Sequence, residues 1–355
     1  MDPFSIQCAV LIVSHNGRDV LGDCLASVLA SDESPYHLRV VVVDNASADG
    51  SAELVAREFP NVDLIRCRAN LGFAGGNNVG WEHIRRAYPR VRYVGLLNQD
   101  TVVRSGWMAT LARFMDARPI VGSAQAKVLL HPQTDLFNTA GNVSHFLAFG
   151  FTTACGEPDR GQYNCDRSLG LVSGAAMAVR ADAISRAGLF DSDFFSYLED
   201  ADLSWKLRQL GYELAYVPQS VVFHKYQFKR DWRHYFLLER NRWLLLGTYY
   251  KTATLVLLLP AAVLMEFGQI YFAWRNGLLP QKFRAWSFFL NRRNQVRLAR
   301  RRRAAQQRRL IGDRSFIAPF VATVESNELR GPVLRRLANP FFGAYWAAAR
   351  SLICW

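Results

Sequence analysis

The first hundred residues alternate between two patterns of hydrophobic and polar positions. Residues 8–14 (CAVLIVS) and 38–44 (LRVVVVD) are continuous apolar runs, as expected of strands that are covered on both faces. Residues 18–30 and 51–59 instead repeat apolar side chains at helical spacing. The alternation continues with a predicted strand at 62–67, a helix at 76–87 and a strand at 91–98. Strands and helices joined by short connections predict a parallel sheet with right-handed crossovers.

The middle of the chain is less regular. Residues 105–115 are predicted to be helical, whereas residues 131–167 are rich in loop-forming residues. Residues 169–188 indicate a strand followed by a helix. Residues 199–212 form an amphipathic helix with acidic residues at its start, and residues 213–226 follow as a strand.

The composition changes after about residue 231. Residues 244–274 are apolar and rich in aromatic side chains, and residues 282–309 are dominated by arginine. We therefore predict two domains: an α/β domain over residues 1–230, and a helical, basic and apolar region over residues 231–355.

Composition and charge narrow the class of protein. Half of the 355 residues are hydrophobic, which is enough for a sizeable core. The net charge of +13 points to an anionic partner: nucleic acid, a membrane surface or a phosphorylated substrate. Because the positive charge is concentrated after residue 280 and no recognised nucleic-acid motif precedes it, we expect no nucleic-acid partner. A basic nucleic-acid-binding protein is kept as an alternative.

Cysteine usage and the N-terminal segment bear on location. The six cysteines show neither the close spacing of a zinc site nor a disulfide framework, so we expect free thiols in a reducing compartment. The first residues lack the basic start and the long apolar core of a signal peptide. The expected location is therefore cytoplasmic.

Polar side chains follow several of the predicted strands. Asp44, Asn70 and Asp100 lie at or just past strand ends, where ligands of open α/β sheets bind. The carboxylate of Asp44 can accept a hydrogen bond from a base N–H or a ribose hydroxyl. Asp100 is a hard oxygen ligand, and one carboxylate with substrate phosphates is a common way to hold Mg²⁺ or Mn²⁺. The alternative is that these residues only form turns.

A glycine-rich loop, RANLGFAGGNNVG, covers residues 68–80. It is not a P-loop, since no Gly-Lys-Ser/Thr follows, and it lacks the spacing of the dinucleotide fingerprint. Glycines at a helix N-terminus can still accept an anion. A simple loop is the alternative.

Acidic and aromatic residues cluster at the start of the predicted helix 199–212. Glu199, Asp200 and Asp202 are adjacent to Phe194, Phe195 and Tyr197. Acids also favour helix N-termini through the helix dipole, so a structural role is the alternative. A carboxylate in an aromatic-walled pocket can act as a general base. His224 follows a strand and is a candidate ligand if a metal is near.

The order of these motifs resembles that of a known family. VLIVSHNG, VVVVDNASADGS, NLGFAGGNN, LLNQD, VSGAAMAVR, FFSYLEDADLSWKLRQLGY and FHK, spread over about residues 6–245, are similar to the inverting family 2 glycosyltransferases of the GT-A fold. The nearest resemblance is to the rhamnosyltransferase and galactofuranosyltransferase branch that builds bacterial cell-surface polysaccharides. The implied fold is α/β and Rossmann-like, a mostly parallel sheet flanked by helices, with the C-terminal region added.

The resemblance implies roles for named residues. Asp200 matches the catalytic base, with Glu199 beside it. Asp100 stands at the last acid of an Asp-x-Asp metal motif whose first position is Asn98 here, and His224 matches a residue that completes the metal site; the implied cofactor is Mg²⁺ or Mn²⁺. The implied donor site contains Ser14, Asn16, Asp44, Asn45, Asn70, Gly72, Asn77 and Gln99. The implied sugar and acceptor contacts are Gly174, Tyr197 and Trp205.

The implied reaction needs no covalent enzyme intermediate. Asp200 takes a proton from the acceptor hydroxyl, whose oxygen attacks the anomeric carbon in line, and a nucleoside diphosphate leaves. The partners implied are a nucleotide-sugar donor and a polyprenyl-diphosphate-linked or other glycan acceptor. ERNRW at 239–243 is similar to the Gln-x-x-Arg-Trp motif of processive synthases, but their several membrane spans are missing. We therefore expect transfer of one or a few sugars. A nucleotidyltransferase is a further alternative, although no triphosphate-binding loop lies near the first strand.

The C-terminal region predicts membrane association. Residues 252–274 are nearly long enough to span a bilayer, but Pro260 and Glu266 weaken that interpretation. Aromatic residues suited to the membrane interface are Tyr249, Tyr250, Tyr271 and Trp274. We expect helices that lie in or dip into the cytoplasmic leaflet, with the arginines on anionic lipid. A soluble helical domain is the alternative, and the apolar tail is compatible with a homo-oligomer.

Overall fold

The computed structural model describes residues 5–226, 234–324 and 334–355. The chain divides into two compact units. The first comprises the residues up to Asn142, Thr152–Leu207 and Tyr212–Tyr226; the second comprises Val143–Phe151, Arg208–Gly211 and the described residues after Tyr226. The domain boundary predicted at residue 230 falls in 227–233, outside the described residues.

The first half of unit one is the predicted alternation of strands and helices. Its strands are β1 (Cys8–Ser14), β2 (Leu38–Asp44), β3 (Asp63–Arg66) and β4 (Tyr93–Asn98), and its helices are α1 (Arg18–Leu29), α2 (Ser51–Glu58) and α3 (Gly72–Ala87). β1 pairs in parallel with both β2 and β4, and β2 pairs in parallel with β3. The predicted parallel sheet is confirmed here. α3 starts four residues earlier than predicted, so the glycine-rich segment is its first turn.

The second half of unit one extends this sheet with strands of both directions. Its elements are β5 (Thr101–Val103), α4 (Trp107–Asp116), β6 (Val121–Leu130), β7 (Phe137–Thr139), β10 (Arg167–Ser168), β11 (Ala176–Arg180), α5 (Ala181–Ala187), α6 (Glu199–Gln209) and β12 (Glu213–His224). The short strands β8 (Asn142–Ser144) and β9 (Gly150–Thr152) pair with each other in a separate sheet and lie almost entirely in unit two. The order in the sheet is β10-β12-β6-β11-β4-β1-β2-β3, with β5 on β12 and β7 on β6. β11 is antiparallel to both of its neighbours, β4 and β6, whereas β12 is parallel to β6.

β6 is a central strand that the sequence pattern did not predict. All ten of its residues are buried, yet Ser123, Gln125 and Lys127 interrupt its apolar positions. Lys127 Nζ donates to Asp159 at 2.7 Å. Gln125 Oε1 accepts the N–H of Ser173 at 2.8 Å. Buried polar side chains are tolerated when they are hydrogen-bonded, and these partners lie far away in the sequence.

Unit two is built around helices, as predicted for the C-terminal region. They are α7 (Tyr235–Tyr249), α8 (Thr252–Arg275), α9 (Leu279–Leu290), α10 (Arg292–Arg308), α11 (Asp313–Phe316) and α12 (Asn339–Leu352), the last preceded by a π-helical turn at Leu334–Ala338.

Four buried or nearly buried charged side chains join three of these helices. Lys282 of α9 donates to Glu239 of α7 at 2.9 Å and to Glu266 of α8 at 2.6 Å. Arg242 of α7 donates to Glu239 at 2.6 Å and also contacts Glu266. The cluster holds equal numbers of acids and bases. Removing one partner would leave a buried charge unpaired, so the cluster fixes how these helices pack.

Candidate active site

The predicted metal ligands meet at the end of the sheet. β5 starts directly after Asp100 and pairs with β12, which places Thr101 opposite His224. The N–H of Lys225 donates to the carbonyl of Asp100 at 2.8 Å. As a result, Asp100 Oδ1 lies 3.1 Å from His224 Nε2.

This pair fits a divalent cation. Neighbouring ligands of an octahedral ion, each about 2.1 Å from it, lie about 3.0 Å apart, which matches the Asp100–His224 distance of 3.1 Å. In residues 5–226, 234–324 and 334–355, no group of three or more His, Cys, Asp or Glu side chains is arranged to hold a metal. Asp100 and His224 would therefore share the ion with donor phosphates and water.

Two adjacent strand ends present polar atoms without partners. Ser14 and Asp44 lie opposite each other at the ends of β1 and β2. Ser14 Oγ and Asp44 Oδ1 are buried and have no hydrogen-bond partner within the described part of the chain. The other carboxylate oxygen of Asp44 accepts the N–H of Ser47 at 3.3 Å. Buried polar atoms normally find a partner, so these two atoms are positioned to bind a ligand.

Asn45 and Asn70 shape the loop that leads into α3. Asn45 Oδ1 accepts the N–H of Leu71 at 2.9 Å, and its Nδ2 donates to Asn70 Oδ1 at 3.1 Å and to the Gly72 carbonyl at 3.0 Å. Asn77 is buried inside α3 and donates to the carbonyl of Phe73 at 2.8 Å. These amides hold the loop in shape, and their direct contact with a donor stays a prediction.

Asn16 and Gln99 tie together the turn after β1. Asn16 adopts a left-handed conformation with φ of 50°, and its Oδ1 accepts the N–H of Ala48 at 2.9 Å. Gln99 Oε1 accepts the N–H of His15 at 3.1 Å. Both residues lie just past strand ends, and a direct contact with a donor stays a prediction for them.

The predicted catalytic acids lie at the start of α6. Asp200 Oδ2 accepts the N–H of Gly174 at 3.2 Å, and Asp200 Oδ1 accepts the N–H of Ala201 at 2.8 Å. Burial raises the pKa of Asp200 to about 6, although these N–H groups oppose the rise. Burial and then the charge of Asp200 raise the pKa of Glu199 well above its usual range. This favours a neutral Glu199 beside an Asp200 that titrates near neutral pH.

Gly174 lies between Asp200, the predicted base, and the glycine-rich segment 68–80, the predicted donor loop, which includes the first turns of α3. A Cβ at Gly174 would lie 3.4 Å from the ring of Phe73 and 3.8 Å from Cβ of Asp200. The N–H of Asn98 donates to the carbonyl of Ala175 at 3.0 Å, which brings this segment to the end of β4, next to Asp100. Phe73 was not predicted as a site residue, because an apolar side chain in a glycine-rich loop carries no chemical signature.

The segment before α6 is strained. Phe195, Tyr197 and Leu198 have φ of 62°, 68° and 62°, a region that side-chain-bearing residues rarely adopt. The carbonyl of Phe195 accepts the N–H of Ala74 at 3.1 Å, so the strained segment is joined to the donor loop. Such strain concentrates at functional sites.

The two predicted acceptor side chains differ in access. Tyr197 is 37 % exposed, whereas Trp205 is fully buried at 0 %. Tyr197 is available to an acceptor. The side chain of Trp205 packs in the protein interior and stabilises α6. Contact between Trp205 and an acceptor would require this helix to move.

Asn138 is a site residue that the sequence did not indicate. Its Oδ1 lies 3.0 Å from Nδ1 of His224. Asn138 belongs to β7, inside the segment where the sequence predicted only loops, and no motif surrounds it.

Two glycosyltransferase family models and several known proteins match this chain. The family model "Glycosyl transferase family 2" matches residues 9–137, and "Glycosyl transferase family group 2" matches residues 93–291. Over 232 residues the chain is 27% identical to the N-acetylglucosaminyl-diphospho-decaprenol L-rhamnosyltransferase of Mycobacterium tuberculosis, covering 61% of this chain and 75% of that protein. It is 25% identical to the rhamnosyltransferase WbbL of Escherichia coli, covering 68% of this chain and 90% of that protein.

Solved structures share the fold. The structure of GalNAc-T7 with UDP, GalNAc and Mn²⁺ superposes with a TM-score of 0.55 at 16% sequence identity, over 70% of this chain and 48% of that one. The chain thus spans about half the length of that protein. The predicted GT-A fold and the resemblance to the rhamnosyltransferase branch are confirmed. Since one family model covers more than half of the sequence, the chain belongs to the family 2 glycosyltransferases.

Proposed function

We propose that this glycosyltransferase moves a rhamnose-like or galactofuranose-like sugar from a nucleoside-diphosphate donor to a saccharide carried on polyprenyl diphosphate, with inversion at the anomeric carbon. The observation that carries the proposal is Asp200, whose carboxylate is oriented by the Gly174 N–H at 3.2 Å beside the loop that opens α3. Similarity to the two rhamnosyltransferases supports the sugar, and similarity to the M. tuberculosis enzyme, whose substrate is linked to decaprenyl diphosphate, supports the lipid-linked acceptor.

Asp200 is suited to act as the general base. A base works best when its pKa lies near the operating pH, and burial raises that of Asp200 to about 6. The carboxylate takes the proton of the acceptor hydroxyl as the oxygen attacks the anomeric carbon from the face opposite the leaving diphosphate. One displacement inverts the configuration and needs no enzyme nucleophile.

The donor site is proposed at the ends of β1 and β2. The unpartnered Asp44 Oδ1 and Ser14 Oγ accept and donate hydrogen bonds to the nucleoside. The loop held by Asn45 then places the N-terminus of α3 toward the diphosphate, where helix N–H groups favour negative charge.

Asp100 and His224 would hold the divalent cation, Mg²⁺ or Mn²⁺. Such an ion stabilises the charge that develops on a leaving diphosphate. The side chain of Asp100 is one-third exposed and that of His224 is nearly buried. Asp100, the more exposed of the two side chains, therefore opens the proposed site toward solvent, from which a donor would enter.

We further propose that unit two binds the cytoplasmic face of the membrane with α8 lying in the interface. α8 has 24 residues and is apolar enough to cross a bilayer by length and composition, the one such helix among the described residues. Its exposed apolar residues recur at helical spacing and form one face: Val256, Leu259, Val263, Leu264, Phe267, Tyr271 and Trp274.

The opposite face of α8 is occupied by protein. Leu258, Ala261 and Met265 are buried there, and Glu266 is held by Lys282 of α9 and Arg242 of α7. A helix with one face packed on protein and the other apolar and exposed is suited to lying in the plane of the interface. This supports the in-plane arrangement over a single span.

The arginine-rich helix α10 supplies the electrostatic part of the proposed membrane contact. None of its residues is buried, and six of its arginines are exposed: Arg292, Arg293, Arg297, Arg300, Arg303 and Arg308. Basic residues near an anionic bilayer contribute about 1 kcal/mol each. Arg302 instead caps α7 by donating to the carbonyls of Gly247 and Tyr250 at 2.8 and 2.7 Å.

A transfer assay tests the proposal. Purified protein is incubated with a panel of nucleoside-diphosphate sugars, Mg²⁺ or Mn²⁺, and polyprenyl-diphosphate-linked saccharides in anionic vesicles. We expect one donor to give a lipid-linked product of inverted anomeric configuration by NMR. Retained configuration, or transfer that survives removal of the lipid diphosphate from the acceptor, would contradict the mechanism or the acceptor class respectively.

A further inference from the structure

Asn138 occupies a β-bulge next to the proposed metal ligands. In the pairing of β7 with β6, Val128 lies opposite Thr139 and Leu129 lies opposite Phe137. Asn138 is therefore the extra residue of β7. A bulge redirects a side chain that the regular ladder would point elsewhere, and bulges are enriched next to active sites.

The bulge directs Asn138 at the ring of His224. Asn138 is 7% exposed and His224 is 5% exposed, and Asn138 Oδ1 lies 3.0 Å from His224 Nδ1. A carboxamide oxygen only accepts hydrogen bonds, so Nδ1 carries the hydrogen. The neutral ring then presents the lone pair of Nε2, which faces Asp100 Oδ1 at 3.1 Å.

We propose that Asn138 is a positioning residue that holds His224 in the Nδ1–H tautomer and fixes the ring so that Nε2 is the metal-binding atom. The proposal rests on the proposed function, since it gives Asp100 and His224 their ion. Histidines that bind metals usually donate their other ring N–H to an oxygen that sets the tautomer. Asn138 supplies that oxygen without adding charge.

The neutral partner has a consequence for the site. A carboxylate in place of Asn138 would accept the same hydrogen bond and make Nε2 more electron-rich. With an amide there, Nε2 keeps the basicity of an ordinary neutral imidazole, and Asp100 is the one carboxylate proposed on the ion. The metal is then held firmly only when the donor diphosphate adds its oxygens.

The tautomer is measured in metal-free Asp100→Ala protein, because without an ion the carboxylate of Asp100, 3.1 Å from Nε2, also accepts a hydrogen bond from the ring. Long-range ¹⁵N NMR of ¹⁵N-histidine-labelled full-length protein distinguishes a protonated Nδ1 from a protonated Nε2, and the His224 signals are identified by their loss in His224→Gln. His145 is an internal reference of the opposite tautomer, because its Nδ1 accepts the N–H of Leu147 and its Nε2 donates to the Ala322 carbonyl. Burial lowers the pKa of His145 to about 3, so its ring stays neutral.

With Asp100→Ala as the background, we expect the neutral His224 ring to be protonated at Nδ1, and the additional change Asn138→Leu to abolish that preference. Asn138→Asp should retain it. A neutral His224 ring protonated at Nε2 in Asp100→Ala would overturn the proposal.

Metal binding is the second readout. Titration of Mn²⁺ into the protein, followed by the EPR signal of the free ion, is done alone and with a panel of nucleoside diphosphates. Loss of a histidine's hydrogen-bond partner typically weakens metal binding about 10- to 100-fold. We expect that loss in Asn138→Leu and wild-type or tighter binding in Asn138→Asp.

Asn142→Leu is the matched control. Asn142 is 8% exposed, and its Oδ1 accepts a hydrogen bond from the hydroxyl of Thr139 at 2.8 Å. The substitution therefore removes a similarly buried amide nearby without changing a contact of His224. Its Mn²⁺ affinity should equal that of the wild type, and thermal melting of every variant checks folding.

The outcomes separate this inference from the proposed function. If Asp100→Ala and His224→Gln lose Mn²⁺ but Asn138→Leu does not, the site stands and the role of Asn138 is wrong. If Asn138→Leu and Asn142→Leu lose Mn²⁺ equally, the effect is general destabilisation and the proposal is overturned. If wild-type protein binds no Mn²⁺ even with a nucleoside diphosphate, the metal site fails and the role of Asn138 fails with it.

Discussion

The carboxylate of Asp200 is oriented by the backbone N–H of Gly174, which donates to Oδ2 at 3.2 Å. Gly174 also lies against Phe73 of the donor loop. The proposed base is thus held by the segment that borders the proposed donor site. A shift of that loop would move both groups together.

The pH dependence of transfer follows from the environment of Asp200. Only the ionised carboxylate accepts a proton, and burial raises its pKa to about 6. We therefore expect kcat/KM to fall tenfold per pH unit below about 6 and to be nearly constant just above it. Stopped assays from pH 5 to pH 8 measure this. A profile that stays flat through pH 5 would contradict Asp200 as a base of raised pKa.

The same shift predicts a stability effect. The folded pKa of about 6 exceeds the value near 3.9 expected in an unfolded chain, so the folded state binds the proton more tightly. The contribution to stability is complete below the unfolded pKa and is lost as the pH rises through about 6. Because asparagine does not ionise, Asp200→Asn does not lose this stability as the pH rises. We expect the free energy of unfolding of this variant to exceed that of the wild type by roughly 1–3 kcal/mol at pH 8, so that the variant melts at a higher temperature. The difference should disappear near pH 4.

Gly72 has no room for a side chain. Its φ is +71°, and a Cβ would lie 2.3 Å from the carbonyl oxygen of Phe195. Gly72→Ala should displace the strained segment before α6, weaken donor binding and destabilise the fold. Gly106→Ala is the control, since its φ is +77° but its nearest atom would be 3.5 Å away.

Both Gly72→Ala and Gly106→Ala carry the backbone cost of a left-handed residue, about 1–2 kcal/mol. Donor titration by calorimetry and thermal melting compare the two variants. Equal losses of donor affinity would argue against a specific link between the donor loop and Phe195.

The exposed face of α8 predicts how the protein binds vesicles. Phe267→Glu places a charge on a side chain that is 66% exposed, in the centre of the proposed membrane face. Binding to anionic vesicles should fall at least tenfold, since both burial of the ring and attraction to lipid are lost. Ile120→Glu, at a residue of unit one that is 52% exposed, should leave binding unchanged in flotation assays. Unaltered flotation of Phe267→Glu, or loss of wild-type flotation after nuclease treatment, would count against the proposed surface.

Much of this site could be predicted from sequence because it lies at the ends of regular strands. Apolar runs located β1, β2 and β4, and polar residues at strand ends identified Asp44 and Asp100, whereas Ser14 followed from the family resemblance. The spatial approach of Asp100 and His224 was not predictable from spacing, since 124 positions separate them. It arises from the antiparallel pairing of β5 with β12.

The residues that sequence reasoning missed owe their positions to irregular structure. Strand β6 was missed because Gln125 and Lys127 interrupt its apolar pattern, and their partners come from distant loops. Asn138 reaches His224 only through a bulge in β7. The family resemblance implied an acceptor contact for Trp205, and only the packing of α6 reveals that it is buried. The sequence pattern around a residue does not indicate which distant residues it will contact.

The central claim is that Asp200 is the base of an inverting transfer. The most direct measurement compares wild type with Asp200→Asn at saturating donor, with enzyme in excess of the lipid-linked acceptor. Such single-turnover assays measure the transfer rate, and calorimetry measures donor affinity. Loss of a general base typically costs 10²- to 10⁴-fold in rate, so we predict a loss of this size with donor affinity within about threefold of wild type. A variant that transfers sugar at a near-normal rate would contradict the account.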